Sequence, residues 1–574
     1  MCGFVGIVGD DISPSSTINI LYQMEKYLEA RGPDARGEFI GTNAFFLHRR
    51  LGILGESKNA SQPMLSRNKE WLLTFNGEIY NFEQLSKKYD IRSNGSDTRV
   101  FVELLSKFGV NKTLSLLNGM YSFVAVNLKE NWTSFAVDRY GQKPLYYESS
   151  GAKITFSSDL RAFSCYKRRV NLLAEDYFLR SGYVPGALSF LDGVQKALPG
   201  HVYTYKSGIL TFENLPLNER KNYRLINLAD VEEAVKEHLV SDYPLFSFLS
   251  SGIDSSIITA LASRFSQIES FTFAYGKGNA DETAHAKQVA QYLGVKHHVI
   301  SAEDTELEAI FHNIDAILSE PLGDPATLAL YLMCEAVKEC GFKVGLTGDG
   351  GDEIFGGYLT IEQRYKKLME RKKFDIPLFL KNLSLPTKLG RELKKFFLTH
   401  DRTIESELDL QYTHSAGDFF GYGSGDGSER RELKEILAAN DFYKFYRLQM
   451  HSKFCPKIDF ASSNCSVELR TPFLSDRLAN YQGSKKSKLE IYERLIPEKC
   501  RNYEKKGFGI DLKRLILKDG RGWVNDNIEL ANEFYGKDVA RRLKIEARAL
   551  NYNLADINFI FRYCQAISWR KKYT

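Results

Sequence analysis

Two patterns of hydrophobic and polar positions follow one another along the chain. Over the first 210 or so residues, short apolar or alternating runs are bounded by Gly, Asn, Asp or Pro. They predict strands at Gly3–Val8, Trp71–Phe75, Tyr121–Asn127 and Ser134–Asp138. Thr98–Phe108 instead places Val100, Phe101, Leu104 and Leu105 at helical spacing. Leu198–Tyr203 reads as a turn into a strand that closes this region. After about residue 220, strand-like runs at Tyr243–Leu249, Ser270–Tyr275 and Phe342–Leu346 alternate with helical patterns at Ser255–Phe265, Asp281–Leu293 and Ala326–Glu339. Such alternation predicts a parallel sheet with helices on its faces. Residues 360–574 read mostly as helix. The lysine-rich pieces Tyr365–Lys367 and Lys485–Lys488 read as solvated helix faces. There is no internal repeat.

Length makes this more than one domain: 574 residues, at about 100–200 per domain, imply two to four. The 77 Lys and Arg against 72 Asp and Glu leave a net charge of +5, too weak and too dispersed to point to nucleic acid. No apolar run approaches the roughly 20 residues that span a bilayer, and the N-terminus lacks the basic region of a signal peptide. The eight cysteines are scattered, without disulfide-scaffold or metal-site spacing. A reduced, cytoplasmic protein is expected, without membrane or nucleic-acid partners. The sequence does not fix its oligomeric state, and a homodimer is compatible with it. Cys2 stands apart, because it becomes the first residue once Met1 is removed.

An N-terminal cysteine brings a nucleophile and a base together, since the free α-amine, with a pKa of about 7.7–8.0, can take the thiol proton. Several segments follow it in order: Arg31-Gly32-Pro33-Asp34, His48-Arg49-Arg50-Leu51, Phe75-Asn76-Gly77-Glu78 and Gly95-Ser96-Asp97. Arg50 could pair with the α-carboxylate of an amino-acid amide, while Glu78 and Asp97 could accept from its ammonium. The Asn76 side chain and the Gly77 amide suit an oxyanion. Taken singly, Asn76-Gly77 also fits a hairpin turn and Arg50 a surface ion pair.

As a set, these segments resemble the glutaminase domain of class II (N-terminal nucleophile) glutamine amidotransferases, together with Asp138-Arg139-Tyr140-Gly141 and Lys143-Pro144-Leu145-Tyr146-Tyr147. The resemblance implies glutamine hydrolysis through a Cys2 thioester, with Asn76 and Gly77 in the catalytic machinery. It implies that Arg50, Leu51, Gly52, Ile53, Leu54, Asn76, Gly77, Glu78 and Asp97 bind glutamine.

A second chemistry lies at Leu249-Ser250-Ser251-Gly252-Ile253-Asp254-Ser255-Ser256, after a predicted strand and at the start of a predicted helix. Helix-terminal amides and serine hydroxyls suit phosphates there, and Asp254 suits Mg²⁺. The lysine of a Walker A loop is missing. A Ser/Asp helix cap explains one serine and leaves the cluster unexplained. A second carboxylate-rich loop, Leu346-Thr347-Gly348-Asp349-Gly350-Gly351-Asp352-Glu353, opens a glycine-dense stretch after another short strand. It lacks the alternating ligands of a calcium loop.

The two loops resemble the asparagine synthetase domain, an ATP-pyrophosphatase (PP-loop) unit, with support from Glu320-Pro321, Asp324-Pro325, Val467–Leu474 and Lys505-Lys506-Gly507-Phe508-Gly509. The resemblance implies that Leu249 and Phe273 flank adenine and that Ser250, Gly252, Asp254, Ser255, Ser256, Thr347 and Gly348 contact ATP. It also implies that Asp254 and Asp352 hold Mg²⁺, that Asp349 assists adenylate formation and that Lys505 steadies phosphate charge. The implied architecture is an α+β, four-layer αββα N-terminal-nucleophile hydrolase domain over 1–212. An α/β parallel-sheet PP-loop domain with a helical C-terminal part follows over 220–574. The implied reaction amidates a carboxylate through an acyl-adenylate, with ammonia passing from glutamine through an internal tunnel.

Four positions depart from the family's common motifs. Ser251 stands where glycine is usual, Asp349 where glutamate is, Phe460 where arginine is and Ser475 where aspartate is. Aspartate is the first reading of the acceptor, and another carboxylate, such as a sugar uronate, is the alternative. Retention of Cys2, Arg50, Asn76, Glu78, Asp97, Asp254 and Asp352 together argues against a non-catalytic scaffold. A phosphoribosyl-transferring amidotransferase would need a phosphoribosyl loop in place of the PP-loop.

Overall fold

The computed structural model describes residues 1–10, 14–55, 57–215, 224–274, 280–301, 309–355, 450–479, 481, 483–502, 512–518, 520–549 and 557–574. The N-terminal half holds two six-stranded antiparallel sheets. One contains β1 (Gly3–Gly9), β2 (Ala35–Ile40), β3 (Ala44–Arg50), β8 (Tyr146–Ser150), β9 (Lys153–Ser157) and β10 (Gln195–Lys196), in the order β10-β8-β9-β1-β3-β2. The other runs β12-β11-β7-β6-β5-β4, from β4 (Met64–Leu65), β5 (Trp71–Ile79), β6 (Gly119–Asn127), β7 (Trp132–Val137), β11 (His201–Lys206) and β12 (Ile209–Asn214).

Strand alternation builds the four layers. On β1, Val5 and Ile7 pack with Leu21 and Met24 of the helix Pro14–Glu25. Phe4 and Val8 face the other way, onto Leu72, Val124 and Phe135 of the second sheet. That sheet's far face, with Leu73, Phe75, Phe123 and Ala125, is covered by Val100, Phe101, Leu104 and Leu105 of the helix Asp97–Leu114. The αββα sandwich therefore follows from the period of two that separates the faces of each strand.

Two local departures from the sequence reading matter for the site. Strand β5 continues past Phe75 to Ile79, because Asn76, Gly77, Glu78 and Ile79 stay in register with Ser122, Tyr121, Met120 and Gly119. Asn76-Gly77 is thus inside a ladder and not a hairpin turn. The tail is not wholly helical either: Glu468–Arg470 forms a strand too short to show any periodicity.

The second half is a five-stranded, all-parallel sheet of order β15-β14-β13-β16-β17. Its strands are β13 (Leu245–Phe248), β14 (Ile268–Ala274), β15 (Lys296–Ser301), β16 (Val344–Leu346) and β17 (Glu468–Arg470). Helices cover both faces, including Ile253–Phe265 and Ala280–Leu293 with one core and Ala326–Glu339 with the other. The chain steps from β13 to β14 to β15 on one side, then returns to place β16 on the other side of β13. That reversal is where open α/β sheets form their ligand crevice, beyond the carboxyl ends of the diverging strands. The last helix, Ile557–Tyr573, returns to the first half and buries Ala566, Trp569 and Tyr573 with Leu160, Phe178 and Phe190. Among the described residues no helix is long and apolar enough to cross a membrane.

Phe135 is fully buried between the two antiparallel sheets and stacks on Tyr203 with ring centroids 4.7 Å apart. Phe135→Ala is expected to cost about 3–5 kcal/mol, read as a lower urea midpoint with an unchanged slope.

Candidate active site

Cys2 begins the first centre at the head of β1. Its amide donates to Asn76 Oδ1 at 3.1 Å, its Sγ lies 3.9 Å from the Leu51 carbonyl, and its own carbonyl accepts from Arg31 Nε at 3.1 Å. The other end of the Asn76 amide, Nδ2, is buried and has no partner among the described residues. A donor so placed beside a thiol is a ready site for negative oxygen. Burial pushes the Cys2 thiol above its ordinary range. Met1 is itself buried, and burial holds its α-amine down to about 5, so that amine is neutral near pH 7.

Arg50 ends β3 and turns back over the next loop, where its Nη2 donates to the Leu54 carbonyl at 2.5 Å and the Gly55 carbonyl at 3.1 Å. The loop Leu51–Gly55 is pinned at both ends: Gly52 N–H donates to Asp34 Oδ2 at 2.8 Å, and Gly55 N–H donates to Asp242 Oδ2 at 2.8 Å. Ile53 is buried, and its carbonyl accepts from the Asp242 amide at 3.1 Å. Glu78 and Asp97 are buried neighbours. Burial raises both carboxyls, Asp97 to about 6 against its bonds from the Ile79 and Thr98 amides, and Glu78 well above the usual range with Asp97 adding to the effect. Two such carboxylates favour a bound cation that returns both to their charged form.

The second centre occupies the switch point, in a cavity of about 460 Å³. Phe248, Leu249, Phe273 and Met333 line its apolar end. Asp254, Asp349, Asp352 and Glu353 line its acidic end, together with Lys457, Lys485 and Lys488. The loop after β13 is knitted by its own hydroxyls: Ser250 Oγ lies 2.9 Å from Ser255 Oγ and accepts from the Gly252 amide at 3.1 Å, and Ser256 Oγ donates to the Gly252 carbonyl at 2.8 Å. Gly252 caps the helix Ile253–Phe265 without a side chain, so the first-turn amides, which have no partners within the helix, face the crevice. The loop after β16, with Thr347 and Gly348, lies directly on this helix start. A Cβ on Gly348 would stand 2.6 Å from the Ser255 nitrogen, and one on Gly351 would stand 2.4 Å from Asp254 Oδ1. Only glycine allows the two loops to touch.

The sequence reading missed the cations of this centre. Lys488 belongs to the helix Lys485–Leu495 and is not a solvated residue: its side chain is 6% exposed, and its Nζ donates to Asp254 Oδ1 at 2.9 Å and Asp352 Oδ1 at 2.8 Å. Lys486 on the same helix is exposed, as expected. Burial opposes the charge of Lys488, but the two carboxylates raise its pKa above the ordinary lysine range. Lys457 donates to Asp349 Oδ1 at 3.1 Å. No feature of the lysine run marks Lys488, because the carboxylates that hold it are more than 130 residues away. Lys505 lies outside the described residues, as do Lys506, Gly507, Phe508 and Gly509. So does the stretch 356–449 of the tail read as mostly helical.

The helix Cys455–Ser463 stands between the centres. Residues two apart on a helix point about 200° from one another, so Lys457 faces Asp349 while Asp459 faces the other domain. There Asp459 meets Arg31 in a fully buried bidentate pair, with 2.7 Å from Nη1 to Oδ2 and 3.0 Å from Nη2 to Oδ1. The departures are quiet. Phe460 packs in the hydrophobic core, Ser251 is buried, and Ser475 Oγ accepts from the Arg477 amide at 3.2 Å.

Comparison with known proteins accords with two centres. The asparagine synthase family model matches residues 228–553, and the glutamine amidotransferase domain model matches residues 1–215. Asparagine synthetase [glutamine-hydrolyzing] 1 of Bacillus subtilis is 26% identical over 92% of this chain and 90% of its own length. The putative asparagine synthetase [glutamine-hydrolyzing] 2 of Methanocaldococcus jannaschii is 30% identical over 66% of this chain and 79% of its own. The asparagine synthetase [glutamine-hydrolyzing] of Zea mays is 28% identical, covering 65% of this chain and 62% of its own.

Replacing Lys488 by Met removes the cation between Asp254 and Asp352. The variant is expected to lose about 2 kcal/mol of stability and to gain more from added Mg²⁺ than the wild type does, both measured by thermal unfolding with and without the ion.

Proposed function

Because the chain belongs to the asparagine synthase family and is a glutamine-dependent ligase, we propose that it converts aspartate to asparagine, with ATP cleaved to AMP and pyrophosphate and glutamine hydrolysed to glutamate. Support for the second half of this reaction comes above all from the convergence of Asp254, Asp352 and Lys488 at the mouth of the switch-point cavity.

In the first centre, once Met1 is removed, the Cys2 α-amine accepts the thiol proton and Sγ attacks the side-chain carbonyl of glutamine. Asn76 Nδ2 and the Gly77 amide receive the developing oxyanion. Glu78 and Asp97 take the α-ammonium, and Arg50 takes the α-carboxylate. The protonated α-amine returns the proton to the amide nitrogen, the C–N bond breaks and ammonia leaves, and water then hydrolyses the thioester to glutamate and the free thiol.

In the second centre, Leu249 and Phe273 flank adenine, and Ser250, Gly252, Ser255, Ser256, Thr347 and Gly348 receive the phosphates. A carboxylate oxygen of the acceptor attacks the α-phosphorus, the bond to the β-phosphate oxygen breaks and pyrophosphate departs. Asp349, held by Lys457, assists this step, and Lys505 is assigned to the same phosphates. Ammonia then adds to the acyl carbon, AMP leaves and an amide remains. The two carboxylate oxygens that converge on the Lys488 ammonium suit a hard divalent cation equally well. Asp254 and Asp352 would hold Mg²⁺ there, where it would neutralise phosphate charge.

Purified enzyme given ATP and glutamine is expected to release pyrophosphate on addition of aspartate. A response to a uronate and none to aspartate would move the acceptor to the alternative class. Cys2→Ala is expected to abolish glutamine-dependent release while leaving ammonia-dependent release within about threefold, the pattern of a lost nucleophile in a separate centre. Glutaminase activity persisting in that variant would refute the nucleophile.

The pH dependence has a definite sign. Asp97 titrates at about 6 in the free protein; below that it is neutral and no longer attracts an ammonium ion. The KM for glutamine is expected to rise as pH falls through about 6, measured by glutamate formation without ATP.

A further inference from the structure

We propose that Arg470 is a positioning residue that makes glutamine capture in the N-terminal domain depend on the phosphate loop of the C-terminal one. The inference rests on the reading of Glu78 as a receiver of the glutamine α-ammonium. Arg470 touches both centres at once. It ends β17, opposite Leu346 of β16, and its carbonyl accepts from the Thr347 amide at 2.9 Å. Thr347 is the first residue of the loop that packs on the phosphate-facing helix start. The side chain of Arg470 leaves the sheet in the other direction and crosses into the first domain. Nη2 donates to Glu78 Oε2 of that domain at 3.4 Å, while Nε donates to Glu468 Oε1, two residues back on β17, at 2.9 Å. Its Nη1 is fixed by the His238 carbonyl at 2.9 Å and the Val240 carbonyl at 2.6 Å.

The guanidinium is 0% exposed and Arg remains charged at any working pH, so its carboxylate partners decide whether it can stay there. The relation also runs the other way. Glu78 Oε1 is buried and has no partner among the described residues. The charged groups that bear on Glu78 are Asp97 and Glu468, both unfavourable to its ionised form, and Arg470 and the chain-terminal ammonium, both favourable. Without Arg470, Glu78 would face two carboxylates with only the chain-terminal amine to offset them. A neutral Glu78 can still accept a hydrogen bond but no longer attracts an ammonium ion by its charge. Burial and its bonds to Glu468, Glu78 and the His238 and Val240 carbonyls hold the guanidinium in one place, so the backbone that pairs with Thr347 and the side chain that meets Glu78 are parts of one constrained residue. ATP binding at Thr347 and glutamine binding at Glu78 therefore share one rigid residue.

The test uses the full-length enzyme with Arg470→Gln, Arg470→Lys and Glu78→Gln, each assayed for the glutamine KM of glutamate formation from about pH 6 to about pH 9. Each assay is run with and without ATP and acceptor, and ammonia-dependent pyrophosphate release serves as the control for an intact second centre. Arg470→Gln is expected to raise the glutamine KM about tenfold or more and to move the rise in KM about one pH unit or more upward. It is also expected to lose any change of KM on adding ATP. Lysine, which keeps the charge, is expected to restore the pH profile in part. A wild-type KM and pH profile in Arg470→Gln would overturn the assignment. So would a parallel fall of both activities in both arginine variants with the pH profile unmoved, the mark of a purely structural residue. If Arg470→Gln also loses ammonia-dependent release, Arg470→Lys decides: a raised KM with normal ammonia-dependent release supports the proposal, and a wild-type KM overturns it. An unchanged KM in Glu78→Gln would instead overturn the ammonium-binding role of Glu78, and this proposal with it. A raised KM there beside wild-type arginine variants would overturn the Arg470 assignment alone.

Discussion

Two buried guanidinium groups cross between the domains in opposite directions. Arg31 leaves the first domain for Asp459, and Arg470, already paired with Glu468 of its own strand, reaches from the second domain to Glu78. A charge removed from water is costly unless it is paired and fully hydrogen-bonded, and breaking one side of such a pair costs about 3–5 kcal/mol. Arg31 is neutralised by a carboxylate of the other domain, while Arg470 has one carboxylate partner in its own domain and one in the other. The pairs add little net stability over apolar packing of the same shape. They fix a single register between two surfaces, and both centres sit within one residue or one helical turn of that register.

The same logic of pairing organises the second centre. Five carboxylates, Asp254, Asp324, Asp349, Asp352 and Glu353, share the lining of the cavity with apolar side chains. Lys488 and Lys457 keep that acidic lining tolerable in the ligand-free protein by bridging Asp254 with Asp352 and by holding Asp349. The helix dipole and first-turn amides of Ile253–Phe265 favour anions at the same place. The crevice is therefore charged in both senses over a short distance. The first centre is built on a different balance, an apolar burial that leaves Asn76 Nδ2 and Glu78 Oε1 without partners. Those two atoms carry a desolvation cost that a substrate can relieve.

Much of this was legible along the chain. Gly3–Val8 and Tyr121–Asn127 are apolar almost throughout and buried on both faces, so each strand needs a layer on either side of it. The strand–helix rhythm after residue 220 is enough to require a parallel sheet. Short loops such as 249–256 and 347–353 announce their chemistry because their functional groups are adjacent in sequence. The reading stopped at contacts between distant segments. Asn76-Gly77 carries a turn's composition, and only the β6 ladder shows that it lies inside a strand. Glu468–Arg470 is too short to declare itself, and the partner that makes it a strand is more than a hundred residues away.

By itself the sequence determined the strand-and-helix architecture of the two halves, the two glycine- and serine-rich loops and the identity of the nucleophile candidate, since all of these depend on periodicity or on residues close in sequence. The tertiary structure alone decided which charges meet. Lys488 and Lys486 are two residues apart in one lysine run, yet one bridges two carboxylates in a cavity and the other is solvated. Arg31 and Arg470 are likewise unremarkable in composition until folding buries them against Asp459 and Glu78. The physical reason is the same in each case. A side chain's charge has a function only through its distance to other charges and to water, and those distances belong to the fold and not to the chain.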